Sequence, residues 1–232
     1  AHQLKTPLAG LRMQADLAQR EGTNTDELKQ SLAQIGRASM RATHTVNQLL
    51  ALARAESMGT ALAMRPCNLV RIVTDVVQGC LPRAMDKHVD LGYEGAGAQD
   101  RGVWLHGNPT LLTELVRNLV DNAINYTPSS SAQPGVVTVR VLADSFGQVL
   151  LLQIEDSGPG VPEAERELVF QPFYRALGSG VDGSGLGLSI VQEIVRQHGA
   201  SITLADARAD TSPPGALFTV RFAALRRPPE QD

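Results

Sequence analysis

The sequence predicts an α+β chain: a helical hairpin that pairs with a second copy into a four-helix bundle, then a domain of alternating helices and short strands. Three observations predict it. Residues 1–56 carry apolar side chains at the three-and-four spacing of bundle helices. From Asn68 onward, β-like runs alternate with helical patterns. Between Asp156 and Leu188, glycines crowd both sides of an apolar segment and lead straight into a helical pattern.

The hairpin comes first. Leu4, Leu8, Leu11, Ala15 and Ala18 keep the a/d rhythm, a break follows at Gly22-Thr23-Asn24, and Leu28, Leu32, Ile35, Ser39, Ala42, Val46, Leu49 and Ala53 resume it. Asn24 and Glu27 have the spacing of a capping box at the second start. Two helices cannot bury such long stripes alone, so residues 1–56 are expected to form a homodimer. His2 falls off this seam, beside Gln3 and on the same face as Thr6. The ring of Pro7 removes a hydrogen bond and clashes with the carbonyl of Gln3, so the helix should bend next to His2. By itself, an exposed histidine is usually only a solvated side chain, and the surrounding pattern decides otherwise.

Bulk composition narrows the classes. With 43% hydrophobic and 19% charged residues the chain reads as globular, and its net charge of −3 argues against a nucleic-acid partner. Cys67 and Cys80 have neither metal-site spacing nor the density of a disulfide scaffold, so reduced thiols are expected, at least one in the core. No apolar run reaches the roughly 18–20 residues of a membrane span. The chain opens at Ala1 rather than Met, directly before a helical pattern, and so reads as a piece of something longer.

A linker is expected at 57–67, a second domain at 68–225 and a polar tail at 226–232. In the second domain a helix is predicted over 68–84, strands at 89–93 and 103–106, and a helix opened by Asn108-Pro109. That helix carries Glu114, Asn118 and Asn122, each four apart on one face, with Asn125 and Tyr126 continuing it. Such a column is either the wet face of a surface helix or a set of amide oxygens suited to Mg²⁺, an ion that takes few protein ligands beside phosphates and water. A turn at 128–135 leads to a hairpin of strands 136–141 and 149–154, the second of which delivers Asp156. A helix over 188–198, ended by Gly199, and strands at 201–205 and 217–222 complete the sheet.

Glycines as dense as those of Asp156-Ser157-Gly158-Pro159-Gly160 and Gly183-Ser184-Gly185-Leu186-Gly187-Leu188 suit backbone brought close to a bulky anion such as a nucleotide, although ordinary turns use glycine too. Gly178-Ser179-Gly180-Val181-Asp182-Gly183 matches the dinucleotide fingerprint by letter, but no predicted strand runs into it, so the Rossmann reading is set aside.

Ala1-His2-Gln3-Leu4-Lys5-Thr6-Pro7-Leu8 resembles the phospho-acceptor box of sensor histidine kinases, usually H-E-x-x-T-P-L. Asn118-Leu119-Val120-Asp121-Asn122-Ala123 resembles their asparagine box, Asp156 to Gly160 their first glycine box, Phe170, Phe173 and Arg175 their lid, and Gly183, Gly185 and Gly187 the second glycine box. The order of these constellations is far more specific than any one of them. The string continued through Leu11 looks most like the branch associated with tricarboxylate transport.

The resemblance implies an α/β sandwich of the gyrase, chaperone and histidine-kinase ATPase type with a mixed sheet. It further implies ATP-dependent phosphorylation of His2, transfer to an aspartate of a response regulator, and a cytoplasmic place beneath a membrane sensor whose upstream segments are absent. ATP and Mg²⁺ are the implied cofactors. Asn122 would hold the metal, supported by Asn118. Asp156 would accept from the adenine amino group beside Gly158 and Gly160. Asn125, Tyr126, Arg175, Gly183, Gly185, Leu186, Gly187 and Leu188 would complete the nucleotide site, and Thr6 would orient water for dephosphorylating the regulator.

Three positions depart from the pattern. Gln3 replaces the usual acid, and its amide can accept the imidazole Nδ1–H but cannot take a proton. Asn125 stands where many relatives carry Lys or Arg, leaving Arg175 as the cation expected near the γ-phosphate. Gly199-Ala200 replaces a glycine pair. A gyrase-like or chaperone-like ATPase, with Glu114 activating water, and a non-catalytic nucleotide-binding adaptor are the competing readings.

Overall fold

Asn68 and Asn108 begin the two long helices of the domain in the same way. Each side-chain oxygen accepts, at 3.1 Å, the backbone N–H three residues on, from Arg71 and Leu111 respectively. Such a cap stabilises a helix by about 1 kcal/mol and fixes where it starts. The computed structural model describes residues 63–100, 102–144, 146–174 and 185–225. The chain divides into two units, Ala1–Arg54 and Ala55–Asp232, and all described residues belong to the second. The expectations for the hairpin 1–56, His2, Gln3, Thr6, Arg175, Gly183 and the tail 226–232 lie outside the described residues.

The elements run β1 (Arg65–Asn68), α1 (Leu69–Asp86), β2 (Val89–Gly95), β3 (Trp104–Gly107), α2 (Pro109–Tyr126), β4 (Gly135–Ala143), β5 (Val149–Asp156), α3 (Gly187–Gln197), β6 (Ser201–Asp206) and β7 (Ala216–Ala223). Short 3₁₀ turns at Glu163–Glu165 and Leu168–Phe170 lie between β5 and α3. β1 pairs antiparallel with β3, so residues 65–67, expected to be linker, are strand. Four residues that include Pro66 are too few to show an alternation.

The main sheet has the order β2-β4-β5-β7-β6. β2 runs parallel to β4 and the other neighbours are antiparallel, the mixed sheet that the resemblance implies. One face is apolar: Val137, Val139 and Val141 of β4, Leu150, Leu152 and Ile154 of β5 and Phe218, Val220 and Phe222 of β7 are all buried, as are Leu112, Leu115 and Leu119 of α2 and Ile190 and Ile194 of α3. Period-two burial on the strands and period-3.6 burial on the helices make a two-layer sandwich. The opposite face carries Arg140, whose guanidinium bonds Glu94 at 2.8 Å and Glu155 at 2.6 Å across the strands.

Cys67 and Cys80 are both buried and free, as expected. β5 runs two residues further than predicted and pairs Asp156 with Val137, so the candidate carboxylate is the last residue of a central strand. No helix among the described residues is long and apolar enough to cross a membrane.

Candidate functional site

α2 presents the asparagine column. Asn118 is buried, and its Nδ2 donates to the Glu114 carbonyl at 2.9 Å and to Glu114 Oε1 at 3.2 Å. These two acceptors set which way the amide points and occupy the carboxylate expected to activate water under the ATPase reading. Asn122, one turn on, is half-buried, and its amide makes no hydrogen bond among the described residues. At Asn125 the side-chain oxygen accepts from Arg83 Nη2 on α1 at 2.9 Å. Tyr126, half-buried, is the last residue of the helix.

Asp156 sits across from the end of α2. Its side chain is buried, and Oδ1 accepts the backbone N–H of Gly158 at 2.8 Å and of Ala216 at 3.2 Å. Burial pushes the carboxyl above the usual carboxylate range, and the two N–H groups offset part of that rise. Both donors converge on Oδ1, and no donor among the described residues engages Oδ2. A carboxylate oxygen without a donor, on a side chain otherwise buried, is a ready acceptor for a ligand N–H.

The glycines of the first box approach the protein's own backbone. A Cβ on Gly158 would lie 2.9 Å from the Tyr126 carbonyl oxygen, and one on Gly160, at φ +75°, would lie 3.0 Å from the carbonyl oxygen of Gly215. Gly215 N–H in turn donates to the Gly158 carbonyl at 3.0 Å. The start of β7 is therefore bonded both to Asp156 and to the loop that follows it. Sequence reasoning missed Gly215 and Ala216, whose only local signal is the preceding Pro213-Pro214.

The segment expected to lead into a lid is tied to the fold at Phe170 and Phe173. Phe170 is buried and meets Phe218 edge-on with ring centroids 6.3 Å apart. Phe173 N–H donates to the Gly185 carbonyl at 2.7 Å, and a Cβ on Gly185, at φ +70°, would come within 2.8 Å of the Phe173 backbone. Tyr174 Oη donates to Glu165 Oε2 at 2.9 Å, which holds the phenol in its protonated form. The described residues 157–174 contain no strand, in keeping with setting the dinucleotide fingerprint aside.

α3 begins at Gly187 with Leu186, fully buried, in the cap position and no side chain capping it. Ser189 Oγ bonds back to the Leu186 carbonyl at 2.9 Å and so does not serve as a cap. No acceptor among the described residues takes the first-turn N–H groups of Gly187 and Leu188, and such groups at a helix start suit an anion. At the other end, His198 Nδ1 meets the Ile194 carbonyl at 2.7 Å, and Nε2 accepts the N–H of Asn108 at 3.1 Å, tying α3 to the cap of α2.

The structure thus sets Gly158, beside Asp156, against Tyr126 at the end of the helix that carries Asn118, Asn122 and Asn125, and sets Gly185 against Phe173 just before Leu186, Gly187 and Leu188 at the start of α3. A buried acceptor, an uncapped helix start and an amide column can hold a purine base, its phosphates and a hard cation.

Residues 107–226 match the family described as histidine kinase-, DNA gyrase B- and HSP90-like ATPases, and residues 1–57 match the His Kinase A (phospho-acceptor) domain. The chain belongs to the sensor histidine kinases. It is 36% identical over 207 residues to the sensor protein QseC of Salmonella typhi, covering 89% of this chain and 43% of QseC. The mycobacterial sensor histidine kinase MprB has a solved structure with a TM-score of 0.60 and 28% identity, covering 72% of this chain and 99% of that one. The histidine kinase ThkA, solved in complex with the response regulator protein TrrA, shares the fold at a TM-score of 0.73 and 19% identity, covering 99% of this chain and 60% of that one. The chain spans less than half the length of QseC.

Proposed function

We propose that this chain is the kinase core of a two-component sensor: it binds ATP, phosphorylates His2 and passes the phosphoryl group to an aspartate of a response regulator. The observation that carries the nucleotide half of this reading is Asp156, a buried carboxylate with both backbone donors on one oxygen and the other oxygen open to an adenine amino group. The phospho-acceptor half rests on His2 and the domain match at 1–57.

Asn122, whose amide has no hydrogen-bond partner among the described residues, suits a cation held mainly by phosphates and water, and no group of three acidic, His or Cys side chains among those residues offers a fuller cage. Mg²⁺ there would neutralise charge on the phosphates. Asn118, set by Glu114, lines the same face. The N–H groups at Gly187 and Leu188 hold phosphate oxygens at the positive end of α3. His2 Nε2 forms a bond to the γ-phosphorus as the bond to the bridging oxygen breaks and ADP leaves. This needs the imidazole in its neutral form, with the Nε2 lone pair free. Gln3 accepts Nδ1–H and keeps Nε2 as the nucleophile, Arg175 supplies a cation from the lid, and Thr6 orients water when the regulator is dephosphorylated.

The chain acts as a homodimer through residues 1–56, since two helices cannot bury such long apolar stripes alone, and as the cytoplasmic portion of a membrane sensor. ThkA was solved with a response regulator, which supports a regulator as partner here too. Incubation with γ-labelled ATP tests the proposal. An acid-labile label on the chain, lost in His2→Ala, is expected; phosphate release without label would mean an ATPase, and binding alone an adaptor.

A further inference from the structure

Asn125 lies two helical turns after Asn118 and so stands over it on the α2 face that carries Asn122. Its orientation is not set by α2. Arg83, on α1, reaches across with a fork: Nη1 bonds Asp121 Oδ1 at 2.7 Å and Nη2 bonds Asn125 Oδ1 at 2.9 Å. A guanidinium has donors only, so the amide atom that faces it must be the oxygen. Nδ2 of Asn125 is thereby turned away from α1.

The neighbouring cation has a different task. Lys87 Nζ donates to the carbonyls of Ile124 and Asn125 at 3.2 Å and 3.1 Å, closing the C-terminal end of α2. Arg83 is thus the basic side chain that fixes an amide on the asparagine column. Its side chain is 49% exposed, and an ion pair so open to water stabilises the fold little. The orientation of one amide matters much more to an anion, because it decides whether an N–H donor or a carbonyl oxygen faces the negative charge.

We propose that Arg83 is a positioning residue for the nucleotide's phosphates: it holds Asn125 with Nδ2 presented along the Asn118–Asn122 face and places a positive charge behind that donor. This rests on the nucleotide reading of the site. In the free amide both orientations are open, and one of them sets an oxygen against the phosphates. With Arg83 in place only the donor orientation remains.

Calorimetric titration of the whole chain tests this with two probes, a non-hydrolysable ATP analogue (AMPPNP) and adenosine, which lacks phosphates. Parent, R83A, R83M, R83K, N125A and the double variant R83A/N125A are compared. R83M keeps an apolar stem of similar length at this position of α1, so the comparison survives if R83A unfolds. The expected result is that R83A and R83M bind AMPPNP roughly five- to tenfold more weakly, a typical loss for one charge-assisted contact. Adenosine binding stays the same, R83K recovers part of the loss, and the double variant is no weaker than N125A because the two residues act as one. Unchanged AMPPNP binding in R83A and R83M, equal weakening of both probes, or losses that multiply in the double variant would each overturn it. A parent chain that binds neither probe would overturn the nucleotide reading and this inference with it, whereas a parent that binds both beside an unaltered R83A overturns this inference alone.

Discussion

A Cβ placed on Gly158 would lie 2.9 Å from the carbonyl oxygen of Tyr126 and 2.8 Å from Asp156 Oδ1. The last residue of α2 and the loop after β5 are therefore in backbone contact, which ties the asparagine box to the first glycine box without any ligand. Gly158→Ala is expected to destabilise the nucleotide-free chain by about 1–3 kcal/mol, the usual cost of overpacking. Thermal unfolding without ligand measures it, as a fall in midpoint of roughly 2–4 °C per kcal/mol for a domain of this size. An unchanged midpoint paired with lost nucleotide binding would mean that the glycine serves the ligand alone.

His198 predicts a pH dependence. Burial holds its imidazole below the ordinary value of 6.5, and the neutral ring accepts Asn108 N–H on Nε2. The unfolded chain therefore binds this proton more readily than the folded one, so stability gains as pH rises through the window and is lost as pH falls below 6.5 toward the lowered folded value. Unfolding midpoints from pH 5 to 8 should fall more steeply on the acid side in the parent than in His198→Gln, which cannot titrate. Parallel curves would show that the ring does not report on folding.

Gln3 predicts a rate. An amide can hold the His2 tautomer but cannot share the proton, so Gln3→Glu should raise the initial rate of label incorporation from γ-labelled ATP by roughly tenfold, less than a full general base supplies because the amide already orients the ring. A rate equal to or below that of the parent would remove proton sharing at this position from the mechanism.

What could be read from the sequence was local. Asn68 and Asn108 mark their helix starts because a cap and the apolar period it precedes lie within a few residues of each other. The asparagine column needs only helical spacing, and Asp156 only the end of a strand. What stayed hidden depends on pairing across the chain. Asp156 is held by Ala216, and Asn125 is held by Arg83, a residue that no local pattern on α1 singles out. The strand β1 was hidden because its partner, β3, comes after the whole of α1 and β2. The glycines signalled close approach, but not what is approached: in the structure it is the backbone of Tyr126, Gly215 and Phe173.

Asp156 itself sets stability against binding. Its folded-state carboxyl is raised, chiefly by burial, so the unfolded chain ionises first as pH rises, and stability is lost as pH climbs through the folded value. At neutral pH the charged form is a cost to the fold. Asp156→Asn removes that charge while its Oδ1 can still accept Gly158 and Ala216 N–H, which forces the amide to point Nδ2 where Oδ2 stood. The unfolding midpoint at pH 7 should therefore hold or rise, and its advantage over the parent should shrink as the pH is lowered and the parent carboxyl protonates. Nucleotide binding should respond in the opposite sense, since Nδ2 now opposes the adenine amino group, with affinity for AMPPNP falling roughly 30- to 100-fold, or about 2–3 kcal/mol for a lost charged acceptor left facing a donor. Melting curves and titrations on the same preparation check both halves. A midpoint several degrees below the parent would mean that the charge holds the loop together, and undiminished AMPPNP binding would mean that Asp156 does not meet the base.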